Sequence, residues 1–199
     1  KYWNSNQNQP LIFYISGDAG FNSFSKNLSD SMFRNGFDVY ALNTKKYFWK
    51  QKTPQQCADD FSSFLESLFS KRTNQKLVIV GYSFGADALP FVMEKFPQKN
   101  RKRIEKIILI DPSETGDLEI SLESYINEKA SGRWKTIPVI NKVTDIPVEF
   151  ILSDFSAAYY PYSQVALKNK KLYRLPGNHR FNGNVKLLAD TIARSLHQQ

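Results

Sequence analysis

Six short runs rich in β-branched and aromatic residues recur along the chain at 11–16, 37–43, 76–81, 104–111, 148–153 and 171–175, and stretches with helical spacing of their apolar positions separate them. Strands that alternate with helices are joined by crossovers rather than hairpins, so the pattern predicts a parallel sheet covered by helices on both faces. Runs such as Leu77-Val78-Ile79-Val80 agree, because a strand buried on both faces has no polar side to show. Helices are expected over 24–35, 54–72, 86–96 and 184–197; in the last, Val185, Leu188, Ala189, Ile192 and Leu196 form one apolar stripe. Pro54 suits a first helical turn behind Thr53 as N-cap, and Gly36 marks the end of the first helix. The stretch 112–147 is less regular, and a short helix over 119–127 is expected within it. With 199 residues, 41% hydrophobic and 14% aromatic, the chain suffices for one domain over 1–199, with no repeat or linker.

The sharpest local signal is Gly81-Tyr82-Ser83-Phe84-Gly85, which stands directly between the third strand and the third helix. A serine on so tight a strand-to-helix turn is held in a strained backbone, and small residues two before and two after let the chain pass. Such a turn lifts the Ser83 hydroxyl above the sheet and aims the first amides of the next helix at a developing oxyanion. The expected architecture is therefore a minimal α/β hydrolase of about six mostly parallel strands without a large lid domain.

A serine hydroxyl needs a general base, and the base needs an orienting acid. The chain has two histidines. His197 falls at the polar end of the last helix, where exposure is expected, whereas His179 lies in the turn-rich loop Leu175-Pro176-Gly177-Asn178-His179 behind the last strand. Ligand and catalytic groups of open α/β sheets collect at that carboxyl edge, which selects His179. Asp154, just past the fifth strand, is the expected acid, and Asp111, ending the fourth, is its rival. Oxyanion donors are expected from the Phe84 amide and from the loop behind the first strand, at Asp18 and Ala19. The Asp18 carboxylate is read first as a brace for that loop, and Asp87 as a carboxylate favoured in a first helical turn. The sharper alternative makes the two a pocket for a cationic substrate group.

A net charge of +8 favours acidic partners, among them anionic lipid head groups, phosphorylated substrates, nucleic acid and acidic proteins. The basic clusters 99–103 and 168–171 sit beside strands and read as solvated loop faces, which makes nucleic acid a distant prospect. Cys57, the single cysteine, falls on the apolar face of the second helix; core packing is expected, and neither a disulfide nor a multi-cysteine metal site can form within the chain. No cofactor is expected. No apolar run approaches the length of a membrane span, and the start at Lys1-Tyr2-Trp3 reads as a mature or trimmed one with no signal peptide.

The stretch 81–91, Gly-Tyr-Ser-Phe-Gly-Ala-Asp-Ala-Leu-Pro-Phe, resembles the signature of the VirJ/AcvB family of bacterial virulence proteins. Segments 15–21, 47–49 with 53–54 and 58–59, 118–120 and 175–181 agree with it in order, so the resemblance spans most of the chain. It implies an α/β-hydrolase fold, a Ser-acid-His site and a periplasmic location. It further implies hydrolysis of aminoacylated phosphatidylglycerol, such as the lysyl ester, or a part in type IV secretion. An ester of a cationic amino acid with an anionic lipid suits a serine nucleophile, acidic side chains for the ammonium and a basic surface resting on anionic membrane. The second reading keeps the scaffold as a non-catalytic accessory that binds secretion-system proteins. The chain departs from the family where Arg180, Asn182 and Asn184 replace a paired histidine and acidic residues, and where Asp154 is followed by Phe155-Ser156-Ala157-Ala158-Tyr159-Tyr160. Those aromatics are read as core packing, with an apolar substrate pocket as the alternative.

Overall fold

The computed structural model describes residues 2–3, 9–70, 72, 75–120 and 132–197. Its main sheet has the strand order β1-β3-β2-β4-β5-β8-β9. These strands are β1 (Tyr2–Trp3), β2 (Leu11–Ile15), β3 (Asp38–Leu42), β4 (Leu77–Tyr82), β5 (Ile104–Ile110), β8 (Val148–Ser153) and β9 (Lys170–Leu175). From β3 to β9 every pairing is parallel; the two-residue β1, which the sequence pattern did not announce, closes the β3 edge antiparallel. A separate ribbon joins β6 (Thr115–Gly116) to β7 (Trp134–Lys135). The helix expected over 119–127 falls almost wholly outside the described residues.

Both faces of the sheet are covered, and the alternation of side chains along each strand divides the core in two. On one face Phe13, Ile15, Ile79 and Leu109 meet α3 (Pro54–Phe69) and α4 (Phe84–Lys95); Cys57 packs there with no exposed surface. On the other, Ile12, Val78, Ile108 and Ile151 meet α1 (Ser23–Arg34) and the last helix α8 (Val185–His197) through Leu28, Leu188 and Ile192. Each such aliphatic side chain contributes about 1.5–3 kcal/mol by leaving water. Short helices fill the connections: α2 (Thr44–Tyr47), α5 (Gln98–Arg101), α6 (Ile137–Ile140) and α7 (Asp154–Ala157).

Local chemistry sets the helix ends. Thr53 caps α3 through the Gln56 amide while the Gln56 side chain returns to the Thr53 amide, with Pro54 in the first turn. The helix α1 is entered by Asn22, whose side chain accepts the Ser25 amide, and is left at Gly36 with a φ of 96°. Because the six long strands are parallel, the loops after β2, β3, β4, β5, β8 and β9 all emerge at one edge of the sheet, where crevices form between them.

Candidate active site

Ser83 stands at that edge between β4 and α4, with φ 51° and ψ −121°. A non-glycine residue held there costs about 1–3 kcal/mol, which the surrounding structure must over-determine. The two flanking glycines show how. A Cβ on Gly81 would lie 2.6 Å from the Gly85 carbonyl, and one on Gly85 would fall on the carbonyl of Ile15 in β2. The Ser83 amide donates to the Ile110 carbonyl at 2.9 Å, pinning the turn to β5.

His179 Nε2 lies 2.9 Å from Ser83 Oγ, and His179 Nδ1 lies 3.2 Å from Asp111 Oδ2. The side chains come from the ends of β4, β5 and β9, some 96 and 68 residues apart in sequence. The acid on the histidine is therefore Asp111, not Asp154. Asp111 has a φ of 45°, which turns its carboxylate back into the structure, and its side chain has no exposed surface. Its oxygens also accept the Ser153 amide at 2.6 Å and the Ser153 hydroxyl at 2.7 Å. Asp154 begins α7 and faces outward instead; it accepts Arg174 Nε at 2.7 Å in a half-exposed ion pair. One residue of difference at the end of β8 thus decides the matter: Ser153 points inward to the acid, and Asp154 outward to solvent.

Tyr82 holds the histidine from below. Its hydroxyl donates to the His179 carbonyl at 2.9 Å, and its ring stacks on the imidazole at 5.4 Å with 24° between planes. Burial pushes its phenol well above the ordinary tyrosine range, so it remains a donor throughout the working pH range. Neither Ser153 nor Tyr82 stands out as a partner in the sequence, although Tyr82 lies within the Gly-x-Ser-x-Gly motif. His197 is exposed at the end of α8.

Gly17, in the loop after β2, packs against the site: a Cβ there would lie 3.4 Å from Ser83 Cβ. The Phe84 amide belongs to the first turn of α4, where amides have no partner within the helix. The Ala19 amide donates to its neighbour Asp18 at 2.7 Å, so it is engaged within the loop, and Asp18 is the brace that the first reading of its carboxylate anticipates. Asp87 is buried and accepts the Ser113 amide at 2.6 Å. Burial pushes its carboxyl up to about 7, against the lowering effect of that hydrogen bond. Asp87 consequently ties the loop after β5 to α4, and its carboxyl lies within range of the charges of His179 and Asp18.

Two cavities open beside the array. One, of about 430 Å³, is lined by Asp111, His179, Glu114, Phe155, Tyr159 and Tyr160 among others. The expectation of aromatic core packing holds for Tyr160 alone here; Phe155 and Tyr159 are 56% and 72% exposed, in contact with each other at 5.5 Å. The other cavity, of about 460 Å³, lies between the loop after β2 and the segment after β3, with Ala19, Phe21, Asn43, Lys45, Lys46 and Trp49 in its wall. Among the described residues no cluster of histidine, cysteine and carboxylate side chains is arranged to hold a metal ion.

The sequence matches the bacterial virulence protein family VirJ over residues 9–199. The chain belongs to that family. This VirJ-family chain has the α/β-hydrolase fold. A bromoperoxidase from Bacillus anthracis superposes with a TM-score of 0.65 at 15% identity, covering 96% of this chain and 92% of that one. MenH from S. aureus gives 0.66 at 12% identity over 100% and 97% of the two chains. A lipase-esterase related protein from Clostridium acetobutylicum gives 0.65 at 14% identity over 98% of each. At such identities the likeness speaks for the fold, not for a substrate. No curated protein matches the sequence.

Proposed function

We propose that this VirJ-family chain is a serine hydrolase that cleaves an ester through Ser83, His179 and Asp111. The observation that carries the reading is the unbroken run of contacts from a strained serine to a buried carboxylate, Ser83 Oγ to His179 Nε2 and His179 Nδ1 to Asp111 Oδ2. With the Nδ1 proton donated to Asp111, the Nε2 lone pair faces the serine hydroxyl and accepts its proton as Oγ attacks the ester carbonyl. The carbonyl π pair moves onto oxygen, where the amides of Phe84 and of Asp18 are the proposed donors. Collapse of the tetrahedral adduct breaks the bond to the alcohol, which leaves with the proton from Nε2. Water then attacks the acyl-serine by the same route, giving the acid and restoring Ser83.

For substrate we propose an aminoacylated phospholipid such as lysyl-phosphatidylglycerol, met in the periplasm. Membership in the VirJ family supports this, and so does the wall of the cavity beside His179. Glu114 is exposed there, and Phe155 and Tyr159 stand in the same wall, a carboxylate beside aromatic rings that suits an ammonium group. Purified protein incubated with lysyl-phosphatidylglycerol in detergent should release free lysine, and Ser83→Ala should release none. Equal release by Ser83→Ala would remove the mechanism; turnover of simple esters without lysine release would remove the substrate alone.

A further inference from the structure

Large hydrophobic side chains are exposed at five places among the described residues: Trp49, Phe64, Phe155, Tyr159 and Leu172. Phe64 and Leu172 lie on the bodies of α3 and β9. The other three follow β3 and β8, strands whose carboxyl ends lie on the edge that carries Ser83. Phe64 is accounted for by ring contacts with Phe13 and Tyr40 at 5.6 Å. Trp49 has no such account, being half exposed at the wall of the second cavity.

The company Trp49 keeps is basic. Lys45, Lys46 and Lys50 are exposed around it, and Arg180 is exposed in the loop that carries His179. Acidic groups share the edge. Asp154 is paired with Arg174, and Asp60 with Lys52. Asp117 and Glu119, whose segment runs beside Phe48 and Lys52, are paired with Arg133. The Asp18 carboxylate accepts the Ala19 amide, and Glu114 lies across the site in the other cavity. The flank after β3 therefore presents an amphipathic indole among lysines, with no carboxylate of its own between Asn43 and Lys52. Indole rings settle at the head-group level of a bilayer, and lysines near an anionic surface are drawn to it. A soluble phosphate would need only the lysines; the exposed indole, with Phe155 and Tyr159 on the same edge, favours a surface that has an apolar layer beneath its charge.

We propose that this edge is a docking surface for an anionic phospholipid bilayer, with Trp49, Lys45, Lys46 and Lys50 as its anchor. Docked in this way, the chain presents the crevice above Ser83 to the membrane, since a Cβ on Gly17 would lie 3.4 Å from Ser83 Cβ and Ala19, two residues on, already lines the cavity beside Trp49. For its purpose the proposal rests on the reading of the site as one that serves a lipid ester, but binding requires no turnover.

The test is co-sedimentation of the whole chain with vesicles of phosphatidylglycerol and phosphatidylcholine, compared with phosphatidylcholine alone. Wild type and Ser83→Ala should both pellet with the anionic vesicles and not with the neutral ones. Each lysine contributes about fivefold near such a surface, so Lys45→Ala/Lys46→Ala should weaken binding by about 25-fold. Trp49→Ala should weaken it several-fold, and tryptophan emission should shift to the blue on binding in wild type but not in Trp49→Phe. Circular dichroism of each variant guards against misfolding. Equal binding to neutral vesicles, variants that bind like wild type, or full displacement by inorganic phosphate at fixed ionic strength would each overturn the proposal. Vesicle binding with no ester turnover would leave it standing and remove the hydrolase reading instead.

Discussion

Asp111→Asn separates the two candidate acids more sharply than any other change. The carboxylate of Asp111 is fully buried and accepts three hydrogen bonds, from the Ser153 amide, the Ser153 hydroxyl and His179. Truncation to alanine strands the two Ser153 donors at about 1–3 kcal/mol each, so loss of activity would be confounded with loss of fold. Asparagine keeps an oxygen for the Ser153 amide. Its NH₂ group, however, presents a donor where His179 Nδ1 also carries a proton, which drives the imidazole to the tautomer whose Nε2 cannot accept from Ser83. In serine hydrolases such a change lowers turnover by about 10⁴-fold, roughly 5.4 kcal/mol at 1.36 kcal/mol per decade. Asp154→Asn removes only a half-exposed pair with Arg174, a contact of about 0–1 kcal/mol, and should leave turnover within about twofold. The assay is kcat/KM on a chromogenic ester, with urea midpoints to show that both variants fold. A loss of several hundredfold in Asp154→Asn together with near-normal Asp111→Asn would refute the assignment.

Three further outcomes follow from the same geometry. Tyr82→Phe keeps the stacked ring but loses the hydrogen bond to the His179 carbonyl, so kcat should fall about fivefold with KM unchanged, in line with one bond of about 1 kcal/mol. Asp87→Asn should flatten the stability–pH profile. With the native carboxyl raised from 3.8 to about 7, the folded chain holds a proton that the unfolded chain has shed, so wild type loses stability as pH rises through that window and levels off above it. Urea midpoints should show the gap between the variant and wild type widening by roughly 3 kcal/mol from pH 5 to pH 8, and parallel profiles would contradict the buried, protonated state. Gly85→Ala places a methyl on the Ile15 carbonyl and should cost at least about 3 kcal/mol of stability, read by thermal unfolding.

What could be read from the sequence was what local patterns determine. The boundaries of β8 and the start of α3 lie where the apolar run 148–153 and the Thr53-Pro54 pair put them, because burial on both faces and helix capping leave their mark within a few residues. The serine elbow was legible for the same reason: its glycines are demanded by backbone atoms close in space and, on one side, close in sequence. His179 emerged because only two histidines compete. The acid did not. Asp111 and Asp154 each end a neighbouring strand, and the choice depends on the positive φ of Asp111 and on the long-range pull of Arg174 on Asp154, neither of which local composition records. Asp87 stands in the first turn of α4 as its position in the sequence indicates, but its partner, the Ser113 amide, is 26 residues away and leaves no local mark. The basic indole flank leaves no clear mark in the sequence because its lysines are interleaved with Tyr47, Phe48 and Trp49. Of these, Phe48 is buried, stacked edge-on against Phe84, while Trp49 faces outward.

The central claim is that Ser83 is a nucleophile activated by His179, and a fluorophosphonate tests it most directly. Intact mass after labelling should show one adduct per chain, and peptide mapping should place it on Ser83. The label should be absent in Ser83→Ala and slowed by orders of magnitude in His179→Ala. Labelling that persists in Ser83→Ala, or that maps elsewhere, would contradict the account.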